Sequence, residues 1–201
     1  ENSLPTDSAP VKDGAEVSTL VPVALESFTS WPDVDVVVAA RDEEAVVARL
    51  MERLGALRYP AEQLTTWIVD DGSEDRTPDL LNELKPLYPN LNVIRRQRNE
   101  GGGKSGALNA ALAQSTGEWI LVLDADGQIS DDQLERIIPI AVMGDWSAVQ
   151  MRKAVTNADT NLGAKVYAGR YSLSLIDVAS DSCLVDTPRQ HVPRFILSNK
   201  F

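Results

Sequence analysis

Residues Asn99 to Leu112 read NEGGGKSGALNAAL. Three glycines, a lysine and a serine run directly into small and apolar residues at helical spacing. Three readings compete for this segment. A P-loop needs G-x-x-x-x-G-K-[ST], so that backbone amides can wrap a phosphate. Gly103-Lys104-Ser105 supplies the end of that pattern, and LVLDAD further on could serve as a Walker B strand. The first glycine position, however, holds Arg98, which removes the tight turn that opens an anion nest. The second reading is a glycine-rich turn that merely starts a helix. The third is a loop whose amides and Lys104 meet a diphosphate from the side.

The flanking sequence narrows the choice. Upstream, DVDVVVAA from Asp33 to Ala40 is a short β-branched run, the kind buried on both faces of a parallel sheet. A helix is expected next, with Asp42 as its N-cap and Val46, Val47, Leu50, Met51 and Leu54 on its inner face. TTWIVDDGS reads as a second strand ending in a turn. Thr77-Pro78 then opens a helix, with Thr77 as its cap and Pro78 at its first position, lined by Leu80, Leu81 and Leu84. LNVIRR is a third strand, followed by the glycine loop and a helix carrying Ala107, Leu108, Ala111 and Leu112. EWILVLDADG is a fourth strand and turn. Ser130 and Gln133 form a capping box for a helix whose inner face is Leu134, Ile137, Ile138 and Ala141. WSAVQMR is a fifth strand.

This alternation predicts an α/β fold: right-handed crossovers and a mainly parallel, twisted sheet with helices on both faces. Ligands of such sheets sit at the carboxyl ends of the strands. The candidates there are Arg41, Asp42 and Glu43; Asp70 and Asp71; the span from Arg96 to Lys104; and Asp124 with Asp126.

Asp124-Ala125-Asp126 brings two carboxylates to one turn. At about 5 Å apart they repel by roughly 3 kcal/mol at an effective dielectric near 20. A divalent ion removes that conflict, and Mg²⁺ or Mn²⁺ suits one or two carboxylates completed by phosphate oxygens. Alone, the pair is equally a solvated turn. Asp70-Asp71-Gly72-Ser73 is likewise an Asx-type turn when taken alone, although an Asp at a strand end can accept a hydrogen bond from a base N–H.

Composition excludes some partners. The chain of 201 residues carries a net charge of −11, a field that repels nucleic acid and anionic lipid surfaces. An anionic substrate therefore needs local cations or a metal ion. One cysteine, Cys183, and one histidine, His191, leave no intrachain disulfide and make a structural zinc site a poor expectation. The cysteine count fits a reducing, cytoplasmic setting. No apolar run approaches the ~18 residues of a membrane helix, and no basic stretch leads into an apolar one, so neither a span nor a signal peptide is expected in these residues. Residues 1–32, rich in Ser, Pro, Thr and acids, read as a poorly ordered leader or surface arm.

In this order, AARDEE, VDDGSEDRT, RNEGGGKSGALNAAL and TGEWILVLDADG resemble the nucleotide-sugar-binding half of glycosyltransferase family 2, inverting enzymes of the GT-A, Rossmann-like nucleotide-diphospho-sugar transferase fold. The resemblance covers residues 33–153. AVQMRKAVTNADTN is similar to bacterial membrane-associated members that make glycolipids or polysaccharides. The resemblance implies a UDP-sugar donor, a lipid or saccharide hydroxyl acceptor, and Mn²⁺ or Mg²⁺. It implies that Ala39, Ala40, Arg41 and Glu43 contact the nucleotide with Asp71, Asp70 sharing that role. It further implies that Gly103, Lys104 and Asp124 lie near the diphosphate and that Asp124 and Asp126 hold the metal. A full-length protein of this type is expected in the cytoplasm or at the cytoplasmic face of a membrane.

The resemblance stops at the acceptor side. The family's general base, an Asp in a Thr/Glu-Asp motif, has no match; Asp177, Asp181 and Asp186 are the acids on offer, in unmatched contexts. Gln190 to Phe195, QHVPRF, is one residue too long for Q-x-x-R-W and lacks the Trp. Residues 154–201 therefore read as a divergent or truncated acceptor-side tail. Two rivals follow: a non-catalytic nucleotide-sugar-binding module or inactive fragment, and a P-loop ATPase.

Overall fold

The computed structural model describes residues 28–151, 174–176 and 193–198. Its centre is β1 (Val34–Ala40), in which Val34, Val36, Val37 and Val38 are fully buried. That burial on both faces is what the β-branched run predicts. β2 (Leu64–Asp71) and β4 (Trp119–Asp124) flank β1 in parallel, and β3 (Leu91–Arg96) lies parallel outside β2. On the other side come β7 (Arg194–Ser198), β5 (Ala148–Met151) and β6 (Ser174–Ile176), in the order β3-β2-β1-β4-β7-β5-β6. Every neighbouring pair is parallel except β5–β6.

Among the described residues four α-helices cover the sheet: α1 (Val47–Gly55), α2 (Thr77–Leu84), α3 (Gly103–Leu112) and α4 (Gln133–Met143). Leu50, Met51, Leu54, Leu81, Leu134 and Ile138 pack with Val36, Val38, Ile68, Leu121 and Leu123 on one face. On the opposite face Ala107, Ala111 and Leu112 of α3 pack on Val37, Val69 and Ile120. None of the four helices has a side-chain cap bond. A cap is worth about 1 kcal/mol, whereas each buried Leu or Val contributes about 1.5–3 kcal/mol. Core burial therefore sets these helices, and their starts are free to serve other contacts.

Three expected caps are corrected on that ground. Asp42 does not cap α1, which begins at Val47; its backbone is left-handed (φ 55°) and its carboxylate accepts from the Glu74 amide. Arg76, not Thr77, is the cap residue of α2, although Pro78 does sit in the first turn. At α4 the Ser130 hydroxyl bonds Asp132 and Gln133 side chains, so no capping box forms.

The sheet also takes strands from the segment read as a divergent tail. β7 inserts between β4 and β5, with the Arg194 amide donating to Glu118 and the Phe195 amide to Ser147. Arg194 and Phe195, the end of QHVPRF, are thus strand residues. Asp177, Asp181, Cys183, Asp186 and His191 lie outside the described residues, as do residues 1–27 of the expected leader. The end of that leader is packed: Phe28 meets Trp31 edge-on, and Trp31 meets Tyr59. The Tyr59 hydroxyl donates to Pro32 at 2.6 Å. Burial first, then the Asp33 and Glu118 carboxylates, push its pKa well up and keep it a donor.

One structural residue was not singled out from the sequence. Asp35 is buried, and its Oδ2 accepts from the amides of Thr116 (2.8 Å) and Gly117 (2.9 Å). It ties the approach to β4 to the start of β1, at the rim opposite the candidate site.

Candidate active site

Parallel register brings the strand tips level. Ala39 stands opposite Asp124, Ala40 opposite Asp70, and Asp71 opposite Arg96. Alternation then sorts them by face. Asp71 follows Val69 by two residues, Arg96 follows Ile94, and Asp124 follows Val122, all on the α3 side. Asp70 follows Ile68 and falls on the other side.

A cleft of about 220 Å³ opens at these tips, lined by Ala39, Ala40, Arg41, Glu43, Asp71, Lys104, Asp124, Ala125 and Asp126. Seven of the nine residues expected at a nucleotide-sugar line it, together with both expected metal ligands. Asp70 and Gly103 do not. The Asp70 side chain is 1% exposed; its Oδ1 accepts from the Ser73 amide, and Arg95 lies 3.5 Å from its Oδ2. It builds the turn after β2. The Gly103 carbonyl accepts from Arg96 at 3.4 Å.

Asp71 is buried against Arg96, Nη1 to Oδ1 2.6 Å, with Arg41 Nη1 3.9 Å from its other oxygen. The Lys104 ammonium pairs with Asp124 Oδ1. Behind it the DADG turn closes through the Gly127 amide on the Asp124 carbonyl (2.8 Å), and Arg53 of α1 donates to the Gly127 carbonyl. Among the described residues no group of three or more His, Cys, Asp or Glu could hold a metal ion. Asp124 and Asp126 bring two carboxylates to the cleft, the number that a Mg²⁺- or Mn²⁺-type ion takes from a protein when phosphate oxygens complete its shell.

The loops after β1 and β2 are laced together. Amides of Asp42, Glu43 and Glu44 donate to Ser73 Oγ, Thr77 Oγ1 and Asp75 Oδ2. In return the amides of Glu74 and Arg76 donate to Asp42 Oδ1 and Glu44 Oε2. Burial opposes it, but bonds from Thr77 and the Glu44 amide hold the Asp75 carboxyl below the ordinary range. Gly72 (φ +72°) lets this loop touch the next: a Cβ there would stand 2.4 Å from Arg98 Cα.

The glycine loop after β3 is held differently. Arg96 donates to Gly101 O (2.6 Å), Gly103 O (3.4 Å) and Glu100 Oε2 (3.1 Å) besides Asp71. The Gln97 amide, and after it Arg96, keep the Glu100 carboxyl below its usual range. Arg98, at the position a P-loop gives to glycine, contacts Gly72 O, Asp42 and Glu74. Sequence reasoning placed Arg96 only within a span of polar residues. An arginine ending an apolar strand was the available signal, but its carboxylate partner Asp71 lies 25 residues away on β2.

Residues 35–185 match the family described as Glycosyl transferase family 2. The chain belongs to glycosyl transferase family 2. The P-loop reading of the glycine segment falls with this, and the resemblance drawn from the motifs is borne out. The family 2 domain is 44% identical over 135 residues to a beta-monoglucosyldiacylglycerol synthase of Synechocystis sp., covering 67% of this chain and 28% of that protein. By structure it matches S. aureus TarS in complex with UDP-GlcNAc, at TM-score 0.56 and 25% identity, over 62% of this chain and 35% of that one. The mannosyltransferase PcManGT from Pyrobaculum calidifontis, solved with GDP-Man and Mn²⁺, shares the fold at TM-score 0.54 and 23% identity, over 69% and 43% of the two chains. The expected GT-A fold, with its mainly parallel sheet, is thus borne out.

Proposed function

We propose that this domain binds a UDP-sugar in the cleft at the tips of β1, β2 and β4, as the donor site of a metal-dependent, inverting glycosyltransferase. One observation carries the reading: Asp71, Lys104, Asp124 and Asp126 line a single cleft. The relatives add to it, since one is named for making a glucosyldiacylglycerol and another was solved with UDP-GlcNAc. The acceptor is accordingly a lipid or saccharide hydroxyl, met at the cytoplasmic side of a membrane. Among the described residues no helix is long and apolar enough to cross one.

Each residue has a part in this reading. Asp71, held by Arg96 and Arg41, presents carboxylate oxygen to the base, while Ala39 and Ala40 keep the strand tip flat enough for a ring to lie against it. Lys104, at the start of α3, brings a point charge to the diphosphate, and the uncapped amides of that helix start favour an anion. Asp124 and Asp126 would hold Mn²⁺ or Mg²⁺, and such an ion would offset the negative charge of the departing nucleotide.

Calorimetry with UDP, a UDP-sugar and ATP, with and without Mn²⁺, tests the reading. UDP binding that strengthens with Mn²⁺ and exceeds that of ATP is expected. Equal or tighter ATP binding, or UDP binding indifferent to metal, contradicts it.

A further inference from the structure

Resting on that donor reading, we propose that Arg96 is a positioning residue that makes the base-reading carboxylate and the diphosphate loop one rigid unit. Its guanidinium is planar, with five N–H groups in a fixed fork. Here that fork spans two sites. Nη1 holds Asp71 Oδ1 at 2.6 Å, while Nη2 holds Gly101 O at 2.6 Å and Nε holds Glu100 Oε2 at 3.1 Å. The side chain is only 8% exposed and springs from the last residue of β3, so its base is fixed by the sheet.

The loop needs such an anchor. Gly101, Gly102 and Gly103 all have positive φ and carry no side chain that could seat them. Their place is set by whatever takes their carbonyls, and Arg96 takes those of Gly101 and Gly103. Lys104 is the next residue and lines the cleft. Gly106, one turn into α3, leaves room for the fork: a Cβ there would stand 2.6 Å from Gly101 O and 3.0 Å from Arg96 Nη2. A change at Arg96 that keeps a cation on Asp71 but gives up the loop carbonyls therefore moves Lys104 relative to Asp71.

The consequence is a split between base and phosphate. Arg96→Lys keeps the charge and can pair with Asp71, but a single ammonium cannot also hold the Gly101 carbonyl and Glu100. Affinities for uridine and for UDP, both with Mg²⁺, separate the two ends, read by ligand-observed NMR and calorimetry. In Arg96→Lys uridine affinity stays within about three-fold of the parent, while the extra affinity of UDP over uridine falls about ten-fold, the worth of one charge-assisted hydrogen bond. Gly106→Ala, whose methyl would stand nearer to Gly101 O (2.6 Å) than to Arg96 Nη2 (3.0 Å) or Nη1 (3.2 Å) and so presses first on the loop side of the junction, reproduces the split and carries the test should Arg96→Lys lose its cooperative melt. A ratio unchanged in the folded variants, or uridine and UDP weakened by the same factor, overturns the proposal. A parent that binds UDP no better than uridine instead overturns the donor reading beneath it.

Discussion

The two halves of the strand-tip rim are built on different principles. After β1 and β2, the loops are laced by five hydrogen bonds between backbone amides and side-chain oxygens about 30 residues away in the chain. After β3, the glycine loop hangs from one guanidinium, and the β4 tip carries a lysine–carboxylate pair. The first half is a preformed wall whose shape owes nothing to a ligand. The second has few side chains to fix it and concentrates charge where a diphosphate and a metal are proposed to sit. A laced wall suits reading a flat base; a glycine loop held by its carbonyls leaves backbone free of side chains to face phosphate oxygens.

Breaking the contact between the halves has the largest expected effect. Gly72→Ala adds a methyl 2.4 Å from the Arg98 backbone at a φ that L-residues avoid. Strain and overpacking together cost about 3 kcal/mol, read as a shift in the urea midpoint; a loss under about 1 kcal/mol would mean that the loops part freely. Thr77→Val removes one lace, the acceptor of the Glu43 amide. About 1 kcal/mol of stability is expected to go, with uridine affinity falling alongside. Uridine binding that survives intact would show that the wall need not be preformed.

Acid probes the comparison most gently. Asp75 on the wall and Glu100 beside the loop have folded pKa values below their ordinary ones. Their stabilisation is complete above the unfolded carboxylate value of about 4 and is lost as pH falls through the folded one. Melting temperatures of the parent and of Asp75→Asn should therefore converge between pH 7 and pH 3. Curves that stay parallel would remove Asp75 from the account.

Much of this was legible in the sequence because it rests on local pattern. The β-branched run of β1, the apolar faces of α1 and α4, and the acids at the strand tips each show in a window of ten residues. What stayed hidden depends on distant partners. Asp42 looks like a helix cap until the Ser73 hydroxyl and the Glu74 amide, over 30 positions away, claim its amide and carboxylate. Asp70 and Asp71 could not be told apart, since Ile68 and Val69 before them are both buried and alternation gives no sign of which face holds the cleft. β7 is a short run after Pro193 whose pairing with β4 spans more than 70 residues. Arg96 was visible as an arginine, but its fork joins the glycine loop to Asp71, 25 residues back in the chain.

The most direct test of the central claim, that a sugar diphosphate is gripped here through a cation on Asp124 and Asp126, is UDP affinity with and without Mn²⁺ in the parent and in Asp126→Ala. Asp126 is exposed, so its loss should leave the protein folded, with a cooperative melt. The account predicts that Mn²⁺ strengthens UDP binding in the parent and that Asp126→Ala weakens it about ten-fold, near 1.4 kcal/mol, with most of the metal dependence gone. A folded Asp126→Ala protein that binds UDP as tightly as the parent, with the same response to Mn²⁺, would contradict it.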